Sequence, residues 1–203
     1  MDVILFDVHK DIWSHPSKPY KFHIQNIAQS FNDRVHKTVA NFHDIGKLSD
    51  EFQKYIHSLT KSKTTHAIEG AYLYTFLTKD IDLYFLPIFF TILKHHQSLP
   101  NIKEEIYKFS NDFSCKFDQK AWIEKIASIE RNLGVESDHN SQEFHKLFQL
   151  YYDNFTNFEN INNFFIFKKC YSRLILADKF EAIFSKPYEN LPFFSDEQVE
   201  QYI

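Results

Sequence analysis

The chain contains a His-Asp pair whose chemistry suits a divalent metal ion. His43 and Asp44 are adjacent, and Lys47 follows His43 by one helical turn. A neutral imidazole and a carboxylate together are ligands that divalent transition metals accept. Neighbouring side chains cannot share one face of a helix, so we expect an ion bound by both to lie over the helix edge. The pair is common in proteins and by itself does not establish a site.

Further candidate ligands occur before and after this pair. Each lies in a segment whose apolar spacing predicts a helix. They are His23, His66, His95, His96 and Asp178. Each histidine also has an ordinary structural explanation: His23 as a half-buried residue, His66 as a helix-start residue, and the His95-His96 pair as favourable cations at a helix C-terminus. Together they indicate a metal site more strongly than any one of them does.

Asp178 is the candidate with the weakest structural explanation. It lies one helical turn after Leu174 in an apolar helix, so its carboxylate should be buried. A buried carboxylate without a partner is costly, and neither Arg173 nor Lys179 is placed one turn away. The position therefore favours an ion or a hydrogen-bond network around Asp178.

The remaining histidines have no partner in this pattern, and we expect them at the surface or at helix caps. They are His9, His15, His36, His57, His139 and His145.

Two glycines lie close to candidate ligands. Gly46 is expected to end the helix that carries His43. Gly70 lowers helix propensity one turn after His66, which indicates that another group approaches its backbone closely.

The elements that carry these residues are predicted to be helices, which gives an all-α fold. The predicted helices cover residues 20–31, 35–43, 49–59, 65–77, 82–96, 102–109, 118–133, 144–155 and 164–184, with a final turn over 195–203. Residues 3–8 are predicted as a short strand or extended arm, and Ser14–Pro19 as a loop. The 3 glycines and 6 prolines are too few for a β-sandwich. A length of 203 residues favours a single domain.

Composition and charge exclude several functional classes. The net charge of -4 argues against a domain that grips duplex nucleic acid through bulk charge, although a partner could still deliver nucleic acid. Cys115 and Cys170 form neither a CxxC motif nor a disulfide framework, which fits a reducing cytoplasm. No apolar run approaches the length of about 18 residues that a membrane span needs.

Four short motifs, in a fixed order, resemble a known family. They are His43-Asp44-Ile45-Gly46-Lys47 with Phe52-Gln53, then His66-Ala67-Ile68-Glu69-Gly70-Ala71, then His95-His96 with Leu99-Pro100, and finally Leu176-Ala177-Asp178. Their order resembles the HD superfamily of metal-dependent phosphohydrolases. Their residue patterns are most similar to those of one branch, the CRISPR-associated HD nuclease of type I interference systems. This nuclease occurs alone or fused ahead of a helicase. The similarity spans about residues 20–184 of a domain expected to occupy 1–203.

The resemblance implies a helical bundle with a two-metal site at its centre. A first ion would be held by His23, His43, Asp44 and Asp178, and a second by Asp44, His66, His95 and His96. Asp44 would bridge the ions and, with Lys47, act in catalysis. A bridging carboxylate sets two cations about 3.5–4 Å apart, a spacing that clamps the reacting oxygens of a phosphodiester. Five imidazoles favour Mn, Fe, Co, Ni or Zn, with Mg as the alternative because it prefers oxygen ligands.

The resemblance also implies a substrate and partners. The substrate would be single-stranded DNA, cut endonucleolytically in antiviral defence in the cytoplasm. The partners would be a helicase, fused or separate, and a Cascade-type RNA-guided complex, with no membrane association. One position departs from the family: Gln97 follows the histidine pair where glycine is usual, which should narrow the approach to the site. Residues 185–203 would form a tail that leads to a helicase in a longer parent chain, or ends a stand-alone nuclease.

Two alternatives stay open at this point. The chain could be another HD phosphohydrolase, acting on a nucleotide or cyclic nucleotide. It could also be a structural or docking domain in which metals only hold helices together. Gln97, in place of the glycine usual in the family, leaves this alternative open. The Phe52-Gln53 and His95-His96 motifs favour the nuclease.

Overall fold

The structure is a computed structural model that describes residue 8 and residues 11–62, 64–77, 84–97, 120–135 and 161–189. Within these ranges the chain is all-α apart from one small hairpin, which confirms the predicted fold class. The α-helices are α1 (Tyr20–Gln29), α2 (Arg34–Phe42), α3 (Asp50–Ile56), α4 (Ala67–Leu77), α5 (Phe85–Lys94), α6 (Lys120–Leu133) and α7 (Ile161–Phe184). A 3₁₀ helix over Ile45–Leu48 lies between α2 and α3.

Several sequence predictions lie outside the described residues. They are the helices predicted over 102–109 and 144–155, the final turn over 195–203, most of the strand predicted over 3–8, Leu99-Pro100 of the third motif, and His9, His139 and His145.

Helices α4, α5 and α7 share one hydrophobic core with α1, α2 and α6. Helix α5 packs between α4 and α7 and is buried along almost its whole length. Aromatic rings fill much of this core, with Phe85 stacked on Tyr74 and Phe89 edge-on to Phe90. Within the described ranges, no helix combines the length and the hydropathy of a membrane span.

Helix α1 buries a histidine and exposes a phenylalanine. The apolar spacing places both Phe22 and His23 on or near the buried face, but only His23 points inward. His23 is 0% exposed and Phe22 is 56% exposed. An imidazole at the centre of a helical bundle needs polar partners, and those partners define the candidate site described below.

A short hairpin occupies the region predicted as a loop over Ser14–Pro19. Strand β1 (Trp13–His15) pairs antiparallel with β2 (Lys18–Pro19), and Ser17 turns the chain with φ of 64°. The Gln53 side chain accepts a hydrogen bond from the Trp13 N–H at 3.0 Å and donates to the Trp13 carbonyl at 2.9 Å. Because a distant side chain anchors the hairpin, local sequence patterns do not reveal it.

Two glycines allow ligand-bearing segments to touch through their backbones. The prediction that Gly46 ends α2 is wrong: α2 ends at Phe42, and Gly46 lies inside the 3₁₀ helix. A Cβ on Gly46 would lie 2.2 Å from the His66 carbonyl oxygen, and one on Gly70 would lie 2.5 Å from the Phe42 carbonyl oxygen. The close approach predicted at Gly70 is therefore confirmed.

Side-chain caps define the starts of two helices. Asp33 caps α2 by accepting hydrogen bonds from the His36 N–H at 2.9 Å and from His36 Nδ1 at 2.7 Å. Ser49 caps α3 through the Phe52 N–H at 3.2 Å, as its sequence position predicts. Helix α4 begins at Ala67, two residues later than predicted, and the His66 carbonyl accepts a hydrogen bond from the Gly70 N–H.

Gly70→Ala tests the close backbone approach. In an open helix this change stabilises a protein by up to about 1 kcal/mol. Here the added methyl group would collide with backbone, so we expect the free energy of unfolding to fall by about 1–3 kcal/mol. Urea denaturation measures it, and a stabilised variant would contradict the described contact.

Asp33→Asn tests the charged cap. Partial burial raises the pKa of Asp33, but hydrogen bonds from His36 outweigh this and lower it to about 2. The folded-state pKa lies below the unfolded value of about 3.9, so the charge stabilises the fold above about pH 4 and ceases to do so as the pH falls. We expect the variant to be less stable than wild type at pH 7, with the difference shrinking below pH 4 in chemical denaturation. A difference independent of pH would contradict the assignment.

Candidate metal centre

Asp44 lies at the centre of the candidate site, immediately after the end of α2. His43 is the C-terminal cap of that helix, and Asp44 has a non-helical backbone with φ of -106° and ψ of 8°. This change of backbone direction lets two adjacent side chains converge, which a continuous helix would not allow. The Asp44 carboxylate is buried.

A first ligand group surrounds one oxygen of Asp44. The ligand atoms of His23, His43, Asp44 and Asp178 all lie within 4.8 Å of one another, and all four residues are buried. Nε2 of His23 is 3.1 Å from Asp44 Oδ2, and Nε2 of His43 is 3.4 Å from the same oxygen. Asp178 Oδ1 lies 3.5 Å from the His23 nitrogen. Helices α1 and α7 and the end of α2 therefore meet at one point.

A second ligand group surrounds the other oxygen of Asp44. It consists of Asp44, His66, His95 and His96. Nε2 of His66 is 3.0 Å from Asp44 Oδ1, and Nε2 of His95 is 3.5 Å from it. His96 Nε2 lies 2.7 Å from His66 Nε2. His96 is the exposed member of the two groups, so the second group reaches solvent.

The hydrogen bonds of the buried histidines fit metal ligation. His43 Nδ1 donates to the Ala40 carbonyl at 2.8 Å, and His95 Nδ1 donates to the Ile92 carbonyl at 2.7 Å. A carbonyl only accepts, so both protons sit on Nδ1, and in a neutral ring Nε2 presents a lone pair. Among the described residues, these two Nε2 atoms are buried without a hydrogen-bond partner. A cation in the first group would satisfy His43 Nε2, and a cation in the second group would satisfy His95 Nε2.

Burial keeps the outer histidines neutral. It is the main cause that lowers the pKa of His66 to about 4 and that of His96 to about 3, and neighbouring histidines add to the effect at His96. Both rings are therefore uncharged at pH 7, the form that binds metal. Although burial raises the pKa of Asp44, electrostatic interactions with the His43 and Lys47 side chains hold it well below its usual range, so the carboxylate is ionised.

Lys47 lies inside the site rather than on the surface. It belongs to the 3₁₀ helix and is buried, with Nζ 2.6 Å from Asp44 Oδ2 and 5.9 Å from the centre of the Phe52 ring. Lys47 is therefore not a solvated lysine at a helix end.

Glu181 is a site residue that the sequence analysis missed. It is fully buried in α7 and accepts a hydrogen bond from His23 Nδ1, which fixes the orientation of that ring. Lys18 Nζ lies 3.1 Å from Glu181 Oε2, and Asn26 donates to Oε1 at 3.2 Å. Glu181 follows Asp178 by three residues on the same helical face, and that spacing was the available signal.

Phe52 and Gln53 place neighbouring residues of the site. The Phe52 ring lies edge-on to His66, with ring centres 5.4 Å apart. Gln53 Nε2 donates to the Lys47 carbonyl at 2.7 Å and also binds the hairpin. The two adjacent residues thus support the second ligand group and the segment that carries Lys47.

Helix α6 holds the segment that carries His66. Lys125 Nζ donates to the Thr65 carbonyl and the Thr64 hydroxyl, both at 2.9 Å, and lies 2.7 Å from buried Glu69 Oε1. This ion pair ties α6 to α4 directly beside the candidate ligand.

Other residues from the sequence analysis take different positions. His15 is half-buried and lies beside His23. Burial is the main cause that lowers the pKa of His15 to about 4. His36 is buried and binds the cap residue Asp33, and His57 packs on Trp13. Arg173 faces Asp33 rather than Asp178.

Gln97 has an exposed side chain that accepts a hydrogen bond from Lys94 at 3.1 Å, and its carbonyl accepts one from the Tyr171 hydroxyl. Its predicted effect on access to the site stays a prediction.

No protein-family model, no curated protein and no solved structure matches the chain. The resemblance to the HD superfamily therefore rests on the sequence motifs alone.

Metal titration of the protein after chelator treatment tests whether two groups share Asp44. We expect wild type to bind two divalent ions, Asp44→Asn to lose tight binding of both, and His96→Ala to weaken only one. Co²⁺ absorbance and elemental analysis measure the stoichiometry. An Asp44→Asn variant with unchanged metal content would contradict the shared-carboxylate arrangement, and so would a His96→Ala variant that keeps full affinity for both ions.

Glu181→Gln tests the support of His23. A partner that orients a metal-binding histidine typically changes metal affinity by about 10–100-fold when removed. We expect a loss of that size for the ion in the first group, while the ion in the second group serves as the internal control. Equal losses for both ions, or none, would show that Glu181 does not act through His23.

Proposed function

We propose that the chain is an HD-type metal-dependent nuclease that hydrolyses phosphodiester bonds of single-stranded DNA in type I CRISPR interference. The observation that carries the proposal is the convergence of seven candidate ligand side chains into two groups joined at Asp44. These residues come from five separate segments of the sequence. Chance placement of histidines would scatter them over several surfaces.

The donor set supports transition-metal ions as cofactors. His23, His43 and Asp178 would hold one ion, His66, His95 and His96 a second, and Asp44 both. Imidazole-rich sites suit Mn, Fe, Co, Ni or Zn better than Mg. When bound, such a pair of ions supplies a hydroxide at neutral pH and neutralises charge on a phosphodiester.

Lys47 supports a reaction on phosphate. Its buried ammonium group lies against Asp44 and therefore at the junction of the two groups. A positive charge fixed in a site with little water stabilises the negative charge that develops on phosphate oxygens. Because Lys47 is not in either ligand group, it can serve the substrate without being needed for metal binding.

The choice of single-stranded DNA and of partners rests on the motif resemblance. Phe52 and Gln53, which distinguish this branch, both support site segments. A net charge of -4 suits a domain that receives a strand from a helicase and a Cascade-type complex. The alternative proposal is an HD phosphohydrolase that acts on nucleotides or cyclic nucleotides with the same ligands.

Cleavage of circular single-stranded DNA tests the proposed function. Chelator-treated protein would receive Mn²⁺, Ni²⁺, Co²⁺ or Mg²⁺, with Asp44→Asn as the inactive control. We expect wild type alone to linearise the circle, fastest with a transition metal. Bound metal without DNA cleavage would contradict the nuclease proposal. Hydrolysis of nucleotides or cyclic nucleotides would then support the alternative enzyme, and no hydrolysis of either would support a structural metal domain.

Lys47→Met separates catalysis from metal binding. The substitution keeps an unbranched side chain that is one atom shorter and removes the charge, so we expect both ions to bind at least as tightly as in wild type. We expect the cleavage rate to fall by about 10²–10³-fold, typical for loss of one electrostatic contact to the transition state. Full cleavage activity in Lys47→Met would remove Lys47 from the catalytic residues.

A further inference from the structure

His15 lies beside the first ligand group without belonging to it. Its ring centre is 4.8 Å from that of His23, with the two rings edge to face. The side chain is half-buried, whereas His23 is fully buried. Neither ligand group includes His15. It is therefore a histidine at the rim of the site, not a further metal ligand.

The hairpin that carries His15 is fixed to the site from three directions. Gln53 binds the Trp13 backbone and the Lys47 carbonyl, so it joins β1 to the 3₁₀ helix. Lys18 in β2 forms an ion pair with Glu181, which itself binds His23. The Tyr20 N–H donates to the Ile12 carbonyl at 2.8 Å. The position of His15 is thus set by the same residues that orient the site.

The His15 ring has one nitrogen that can contact a ligand. Nδ1 lies 3.2 Å from the Ser14 hydroxyl. The other acceptor near that hydroxyl, the Lys18 carbonyl, is 3.5 Å away, beyond the usual O–H···O distance, so the hydroxyl can donate to Nδ1. Nε2 can then carry the ring proton, and it has no hydrogen bond with any described residue. His15 packs against His23, whose Nε2 is 3.1 Å from Asp44 Oδ2, and Lys47 Nζ lies 2.6 Å from the same oxygen. A phosphate group bound over the first ligand group would therefore lie near both His15 and Lys47.

We propose that His15 is a further substrate-binding residue, whose Nε2–H donates a hydrogen bond to a nonbridging oxygen of the phosphate at the site. The inference rests on the proposed function, because it requires a phosphate over bound metal. It adds a hydrogen-bond donor from the hairpin, at a position that precedes every motif in the sequence. The competing role for the same ring is support of His23 by packing alone. The experiment below distinguishes the two roles.

The test uses the Co²⁺-loaded protein and inorganic phosphate as the probe. Visible absorbance reports both the Co²⁺ coordination and the addition of phosphate. His15→Phe keeps a ring against His23 but removes the donor, and His15→Ala removes both. His57→Phe is the control, because His57 contacts the same hairpin through Trp13, with ring centres 4.3 Å apart, and lies in neither ligand group.

We expect His15→Phe and His15→Ala to bind Co²⁺ like wild type and to bind phosphate at least about tenfold more weakly, as for the loss of one hydrogen bond to a charged group. His57→Phe should match wild type in both. Unchanged phosphate affinity in His15→Phe would overturn the inference. If that variant behaves like wild type while His15→Ala loses Co²⁺, His15 only packs against His23.

The wild-type protein separates failure of this inference from failure of the proposed function. If it binds no Co²⁺, the metal centre itself is wrong and the inference falls with it. If it binds Co²⁺ but no phosphate, the metal centre stands while the inference is overturned, because His15 would have no phosphate to contact.

Discussion

The structure depends on one buried carboxylate that must be neutralised on both sides. Asp44 is removed from water, and its two oxygens face separate sets of histidine nitrogens. A buried charge is tolerated only when it is paired. Lys47 supplies part of that pairing, but the lone pairs of His43 and His95 point inward without a proton donor. These residues could therefore hold a metal ion. Helices α1, α4, α5 and α7 surround the position.

Backbone contact is the second constraint, since short imidazoles reach a common point only if their helices nearly touch. Gly46 rests against the His66 backbone, and Gly70 rests against the Phe42 and His43 carbonyls. Side chains at these positions would push the His66 segment away from Asp44. The outer contacts continue the same task, because Lys125 fixes the segment before α4 and Glu181 fixes the His23 ring. Stability and site geometry are therefore coupled.

Much of this arrangement follows from local sequence rules, and the rest depends on contacts between distant segments. Apolar spacing predicts the helices, and the cost of burying Asp178 without a partner makes it a candidate ligand. The backbone turn that lets His43 and Asp44 converge is set by tertiary packing of the 3₁₀ helix, so helix rules placed Gly46 incorrectly. His15 carries no signal, because a side chain 38 residues away, Gln53, anchors its hairpin. Glu181 had a signal in its spacing from Asp178.

Anomalous diffraction from crystals soaked in Mn²⁺ is the most direct measurement of the central claim. The account predicts two anomalous peaks on either side of the Asp44 carboxylate, one coordinated by His23, His43 and Asp178 and one by His66, His95 and His96. A soaked crystal without a peak at Asp44 would contradict it, and so would peaks bound only by surface carboxylates elsewhere in the molecule.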